Sequence, residues 1–156
     1  MKTWRQALGD AILSGSSASI LSTIAISRRG RKESGSSYAP TNATSHWLWG
    51  ERAKRRDGPS GRYTALGYGI HHASATFWAV FYEKWFGERA DRGELAVAAG
   101  GAATVAALAC FVDYKVVPQR LNPGYEAHLS RPSLFLVYAA FGAGLLLHSA
   151  ARSRRR

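Results

Sequence analysis

Four long apolar blocks alternate with shorter polar stretches along the chain, and none is the short amphipathic segment expected of a water-soluble core. They cover residues 6–27, 63–86, 95–117 and 132–151. A helix of about twenty residues rises about 30 Å, the thickness of a bilayer's hydrocarbon layer. The pattern therefore predicts an all-α fold, an integral membrane bundle of four transmembrane helices forming a single membrane domain over residues 1–156. A basic loop, 28–62, carries an interfacial helical segment between the first and second helices, and a basic tail occupies 152–156.

Within the first block, Asp10 precedes a charge-free, serine-rich run in which Ser14, Ala18 and Ser22 recur every fourth residue, a surface that admits close helix approach. Lys2 and Arg5 before it, and Ala25-Ile26-Ser27 at its end, imitate a signal peptide. Dilution by Gly15, Ser16 and Ser17, and the basic cluster Arg28-Arg29-Gly30-Arg31-Lys32 directly after, predict an uncleaved helix instead. Glu33 to Ser37 reads as a flexible linker. Beyond it Asn42 or Thr44 can cap a short helix that lays Trp47, Leu48 and Trp49 at the membrane interface, with His46 beside them.

The second block is the central one, because the run from Tyr63 to Tyr82 holds no formal charge yet contains His71 and His72. Positions 72, 76, 79 and 83 share a helix face, so His72, Thr76 and Glu83 form a stripe towards the other helices while His71 points elsewhere. A short mixed-charge turn, Gly87 to Glu94, makes the second and third blocks antiparallel neighbours. The third block offers the small surface Ala98 to Ala103, carries Asp113 a turn from its end and stops before Pro118. Ser130 can cap the fourth helix, Pro132 fits its first turn, Gly142 and Gly144 suit close packing, and His148 lies near its end.

Charge refines this reading. Lysine and arginine number 21 against 10 acidic residues, a formal +11. Such a balance raises nucleic acid as a partner, but the charges flank the apolar blocks, where anionic lipid head groups and topology account for them; no nucleic-acid partner is expected. Mean hydropathy is only −0.19 because the loop and tail dilute the blocks. The excess of basic residues on the long connections places those connections in the cytoplasm, although the arginine tail argues the other way. Cys110 is the sole cysteine, which excludes an internal disulfide and reads as a packing residue.

Candidate chemistry is confined to polar groups inside the spans. By depth, Asp10, Glu83 and His148 approach one face, with His72 deeper, while Asp113 lies near the other face with Glu126 and His128. Embedded ionisable groups are costly unless paired or used, so these residues form either a proton-handling or ligand site or a set of structural pairs. A haem between His72 and His148 requires a large helix offset, and no metal motif, phosphate loop or catalytic triad pattern is present. No metal, cofactor or catalytic residue is expected.

Asn42-Ala-Thr-Ser-His-Trp-Leu-Trp-Gly50, His71-His-Ala-Ser-Ala-Thr-Phe-Trp-Ala79, Asp113-Tyr-Lys-Val-Val-Pro118 and Arg120-Leu-Asn-Pro-Gly124 together resemble small bacterial inner-membrane proteins with four predicted transmembrane helices. That resemblance implies a multi-pass protein of the bacterial inner membrane and transfers no activity or site. The expected role is a non-enzymatic scaffold or accessory subunit, partnering anionic lipid and a second copy or a larger membrane complex. A small proton-linked transporter using the intramembrane Asp, Glu and His residues is the alternative, and a haem- or quinone-binding protein a third reading.

Overall fold

The structure is a computed structural model that describes residues 1–153; Arg154–Arg156, part of the expected tail, lie outside the described residues. It is helical throughout, with no strand among the described residues. Helix α1 spans Trp4–Ser34, α2 Ala39–Thr44, α3 His46–Trp49, α4 Leu66–Tyr82, α5 Glu88–Asp91, α6 Leu95–Phe111 and α7 Arg131–Ser153. Of these, α1, α6 with its terminal turn, and α7 are long and apolar enough to cross a membrane. The second expected span is shorter than its apolar block: α4 has 17 residues and is flanked by π-helical turns, Gly61–Ala65 and Glu83–Gly87. Three such helices, rather than clearly four, are therefore long enough as regular α-helix.

The ends follow from local chemistry. The Thr3 hydroxyl accepts from the Gln6 amide while the Gln6 side chain accepts from the Thr3 amide, a reciprocal capping box that starts α1. Nothing breaks the helix before Gly35, whose φ of 75° is left-handed, so the basic cluster at 28–32 continues α1 instead of opening the loop. Ser60 caps the turn that leads into α4 by accepting from the amides of Arg62 and Tyr63. Within the 28–62 connection, Ala39 to His46 is buried throughout.

The chain divides into two compact units. The first comprises residues 1–22, 72–109 and those from 138 onward. Its core is small: Ala11, Ala18, Ala75, Ala79, Ala102 and Ala106 surround Tyr82, Val105, Phe141 and Leu145. Glycines set the helix spacing. A Cβ on Gly15 would strike the Thr76 backbone, one on Gly144 the Ala18 backbone, and one on Gly101 the Phe86 ring. Asp10 meets Arg152 and Ala18 meets Gly144, eight residues on along one helix and eight back along the other, so α1 and α7 run antiparallel.

The second unit comprises residues 23–71 and 110–137. Ile26, Tyr125, Leu129 and Val137 form its apolar centre. Gly67 brings the start of α4 onto the Thr41 carbonyl of α2, where any Cβ would clash, whereas Gly69 faces open space. Instead of the Ser130 hydroxyl alone, a carboxylate from another helix caps α7. Glu33 accepts from the Ser130 amide at 2.7 Å and from the Ser133 hydroxyl, and Arg29 holds it at 2.7 Å.

Candidate functional site

The densest chemistry in the first unit surrounds Lys2. Its ammonium is buried, 7% exposed, and lies 2.5 Å from Glu83, 2.8 Å from Asp10 and 3.0 Å from Asp91. Arg152 closes the group, 2.7 Å from the other oxygen of Asp10 and 3.5 Å from Asp91. Local backbone form makes the meeting feasible. The π-helical turn at Glu83–Gly87 follows α4, and Gly87 leaves the space that Lys2 and Glu83 fill, since a Cβ there would collide with both side chains. Lys84 donates to the Lys2 carbonyl at 2.7 Å and lies over the Trp4 ring, fixing the segment from its outer side.

Burial alone would lower the pKa of Lys2, but the carboxylates of Asp10, Glu83 and Asp91 outweigh it and hold the ammonium above its ordinary value of 10.5. Lys2 is therefore charged at neutral pH. Five ionisable groups, three acidic and two basic, thus satisfy one another with little help from water. Such a network holds helices in register, and removing one member leaves an uncompensated buried charge.

Asp10 and Glu83, expected together, do come together. His148 does not join them among the ion pairs: it sits one turn before Arg152, level with Ser14 in the α1–α7 register, with Nε2 buried and unpartnered. His72 is half-buried on α4 in the same unit, a turn before Thr76. Neither Lys2 nor Asp91 was read as a site residue from the sequence: Lys2, ahead of an apolar block, imitates the basic start of a signal peptide, and Asp91 sits in the mixed-charge turn. Only its spacing from Asp10, eight residues or about two turns, hints at proximity.

The remaining candidates lie in the second unit. The Tyr125 hydroxyl hydrogen-bonds His71 Nδ1 at 2.6 Å, tying His71 to the apolar centre of the second unit. Burial first, then the Asp113 and Glu126 carboxylates, push the Tyr125 pKa up, which keeps the hydroxyl protonated. Asp113 is half-buried, and His128 bonds the Lys54 carbonyl at 2.9 Å. His46, expected at the interface, is buried instead: its Nδ1 donates to the Ala43 carbonyl at 2.8 Å, leaving Nε2 without a partner. Trp47 and Trp49 remain half-exposed, Trp47 donating to the Asn122 carbonyl.

Asn42 is the residue that sequence reasoning undervalued. Fully buried, it donates to the carbonyls of Arg56 (2.7 Å) and Gly58 (2.9 Å) and accepts from the Thr64 hydroxyl (2.6 Å). A side chain read as a helix cap is instead the post on which the 56–64 segment is fixed. Comparison with protein-family models, curated proteins and solved structures finds no match for the chain.

Proposed function

We propose that the chain is an integral protein of the bacterial inner membrane that crosses it four times and serves as a non-enzymatic scaffold or accessory subunit. One observation carries the membrane reading: the apolar pattern is inside out. Along α1, Ala7, Ala11, Ser14 and Ala18 are buried while Leu8, Ile12, Leu13 and Ile20 are exposed. On α7, Ser133 and Ser149 are buried and Phe135, Leu136 and Leu147 exposed. Water would reverse that choice; hydrocarbon rewards it, because helices associate there through small residues and hydrogen bonds. With its flanking turns the α4 region covers residues 61–87, about 40 Å if each residue rises as in a regular helix, and so makes the fourth span.

The structural role is supported by the mutual ion pairing around Lys2 and by an open small-residue face on α6, where Ala96, Ala99, Gly100 and Ala103 are exposed and no atom lies within 4 Å of a Cβ built on Gly100. That face suits a second copy or a larger complex. Gly100→Leu is expected to dissociate the native assembly, read by mass photometry in nanodiscs, while leaving the monomer folded; Gly101→Leu, which meets Phe86, should unfold it. An unchanged assembly in Gly100→Leu would sink the docking role. The proton-linked reading draws on the excess of one carboxylate in the Lys2 network, and pH-driven flux in liposomes that Glu83→Gln abolishes would favour it.

A further inference from the structure

The second unit holds an open surface pocket that neither the scaffold role nor the Lys2 network uses. It measures about 310 Å³ and is lined by Arg55, Arg56, Asp57, Gly58, Pro59, Ser60 and Tyr63. Its floor is fixed from beneath, by Asn42 through the carbonyls of Arg56 and Gly58 and by Ser36 donating to the Asp57 carbonyl at 2.5 Å. The basic rim is also positioned. Arg56 and Arg62 lie over the Tyr63 ring, at 5.4 and 5.7 Å from its centre, and Arg62 stacks on Trp49 at 4.2 Å. Among the described residues, Arg55, Arg56 and Arg62 form no salt bridge.

We propose that this pocket holds the headgroup of phosphatidylglycerol, an anionic phospholipid, the phosphodiester between the guanidinium groups and the headgroup hydroxyls donating to Asp57. The proposal rests on the membrane reading. Three observations select this ligand. The three arginines exceed Asp57 by two charges, which an anion offsets and a zwitterion does not. A lone carboxylate in a basic wall repels a bare phosphate but accepts from a hydroxyl. Leu48 is 59% exposed and flanked by Trp47 and Trp49, an aromatic and apolar edge that places the rim at headgroup level. After Tyr63, Ala65 at the end of the π-helical turn and Gly69 on α4 are both exposed four residues apart, leaving a shallow seat for an acyl chain.

The test is native mass spectrometry of the detergent-extracted full chain, offered phosphatidylglycerol, phosphatidylethanolamine, phosphatidylcholine and phosphatidic acid with matched acyl chains, and soluble glycerol phosphate. Phosphatidylglycerol should be retained about tenfold over both zwitterions, and Arg55→Gln/Arg56→Gln/Arg62→Gln should erase that preference. Arg28→Gln/Arg31→Gln/Lys32→Gln, removing the same charge from another exposed part of the unit, should keep it. Asp57→Asn should lower retention of phosphatidylglycerol relative to phosphatidic acid. Arg56→Gln alone, checked by far-ultraviolet circular dichroism, guards against misfolding of the triple variant and should weaken the preference by itself. Equal loss in both triple variants would reduce the site to diffuse charge; equal retention of phosphatidylethanolamine, or displacement by glycerol phosphate, would overturn the ligand. Alkaline extraction of cell membranes separates the two readings. A chain that stays in the pellet without lipid preference loses only this site, whereas a released chain loses the membrane reading and the site together.

Discussion

The two units bury polar groups by opposite means. Around Lys2, full charges are withdrawn from solvent and balanced against one another, while the helices touch through alanine, serine and glycine. In the second unit buried side chains bond the backbone instead: Asn42 and Ser36 donate to carbonyls of the irregular 56–58 segment, and His46 to the Ala43 carbonyl of the preceding helix. Charges tie long elements together from few points, and their failure is collective. Neutral donors fix short irregular segments one carbonyl at a time, and their failure is local.

The largest break in that comparison comes from Lys2→Met, which strands Glu83 in the interior. It should cost roughly 3–5 kcal/mol, seen as early unfolding of the first unit in a denaturant titration in micelles. A change below about 1 kcal/mol would mean that the carboxylates already reach water. Asn42→Ala should cost less, about 1–3 kcal/mol, and confine the damage: amide exchange rises over 56–64 while the first unit keeps its protection. Exchange rising equally in both units would erase the contrast between collective and local failure.

The smallest effect is that of pH. Because the Lys2 pKa is raised in the folded chain, its contribution is fully present below the ordinary value of 10.5 and fades as pH climbs through the higher folded value. The first unit should therefore hold its thermal midpoint from neutral pH to about 10 and lose it above that, with Lys2→Met abolishing the dependence. A midpoint equally alkali-sensitive in Lys2→Met would assign the effect to another group.

Much of the helical plan was legible because hydrocarbon-length apolar runs need no tertiary information. Asp10 and Glu83 were also legible, since a carboxylate inside such a run demands a partner. What closed the network was not. Lys2 precedes the first apolar block, and nothing in its local sequence distinguishes a head-group anchor from a side chain that turns inward. The π-helical turn at Glu83–Gly87 likewise has no sequence period of its own, so the path of the chain after Glu83, which leaves room at Gly87 for Lys2, is invisible to a 3.6-residue reading. Asn42 illustrates the same limit in the second unit. Its cap-forming chemistry was evident, yet its acceptors lie 14 and 16 residues downstream on a loop whose path the helix pattern does not encode. The serine-rich segment after Lys32 read as a linker because composition reports flexibility of a free chain, whereas Ser36 is buried under the loop it holds.

The Glu33 cap on α7 fixes an order of events. Glu33 belongs to α1, and the Ser130 and Ser133 groups that donate to it stand about a hundred residues later, at the start of α7. Until α7 is made, Glu33 has Arg29 of its own helix to pair with, and the second unit is open at this seam. A chain that stops short of Ser133 therefore cannot close the second unit by this cap.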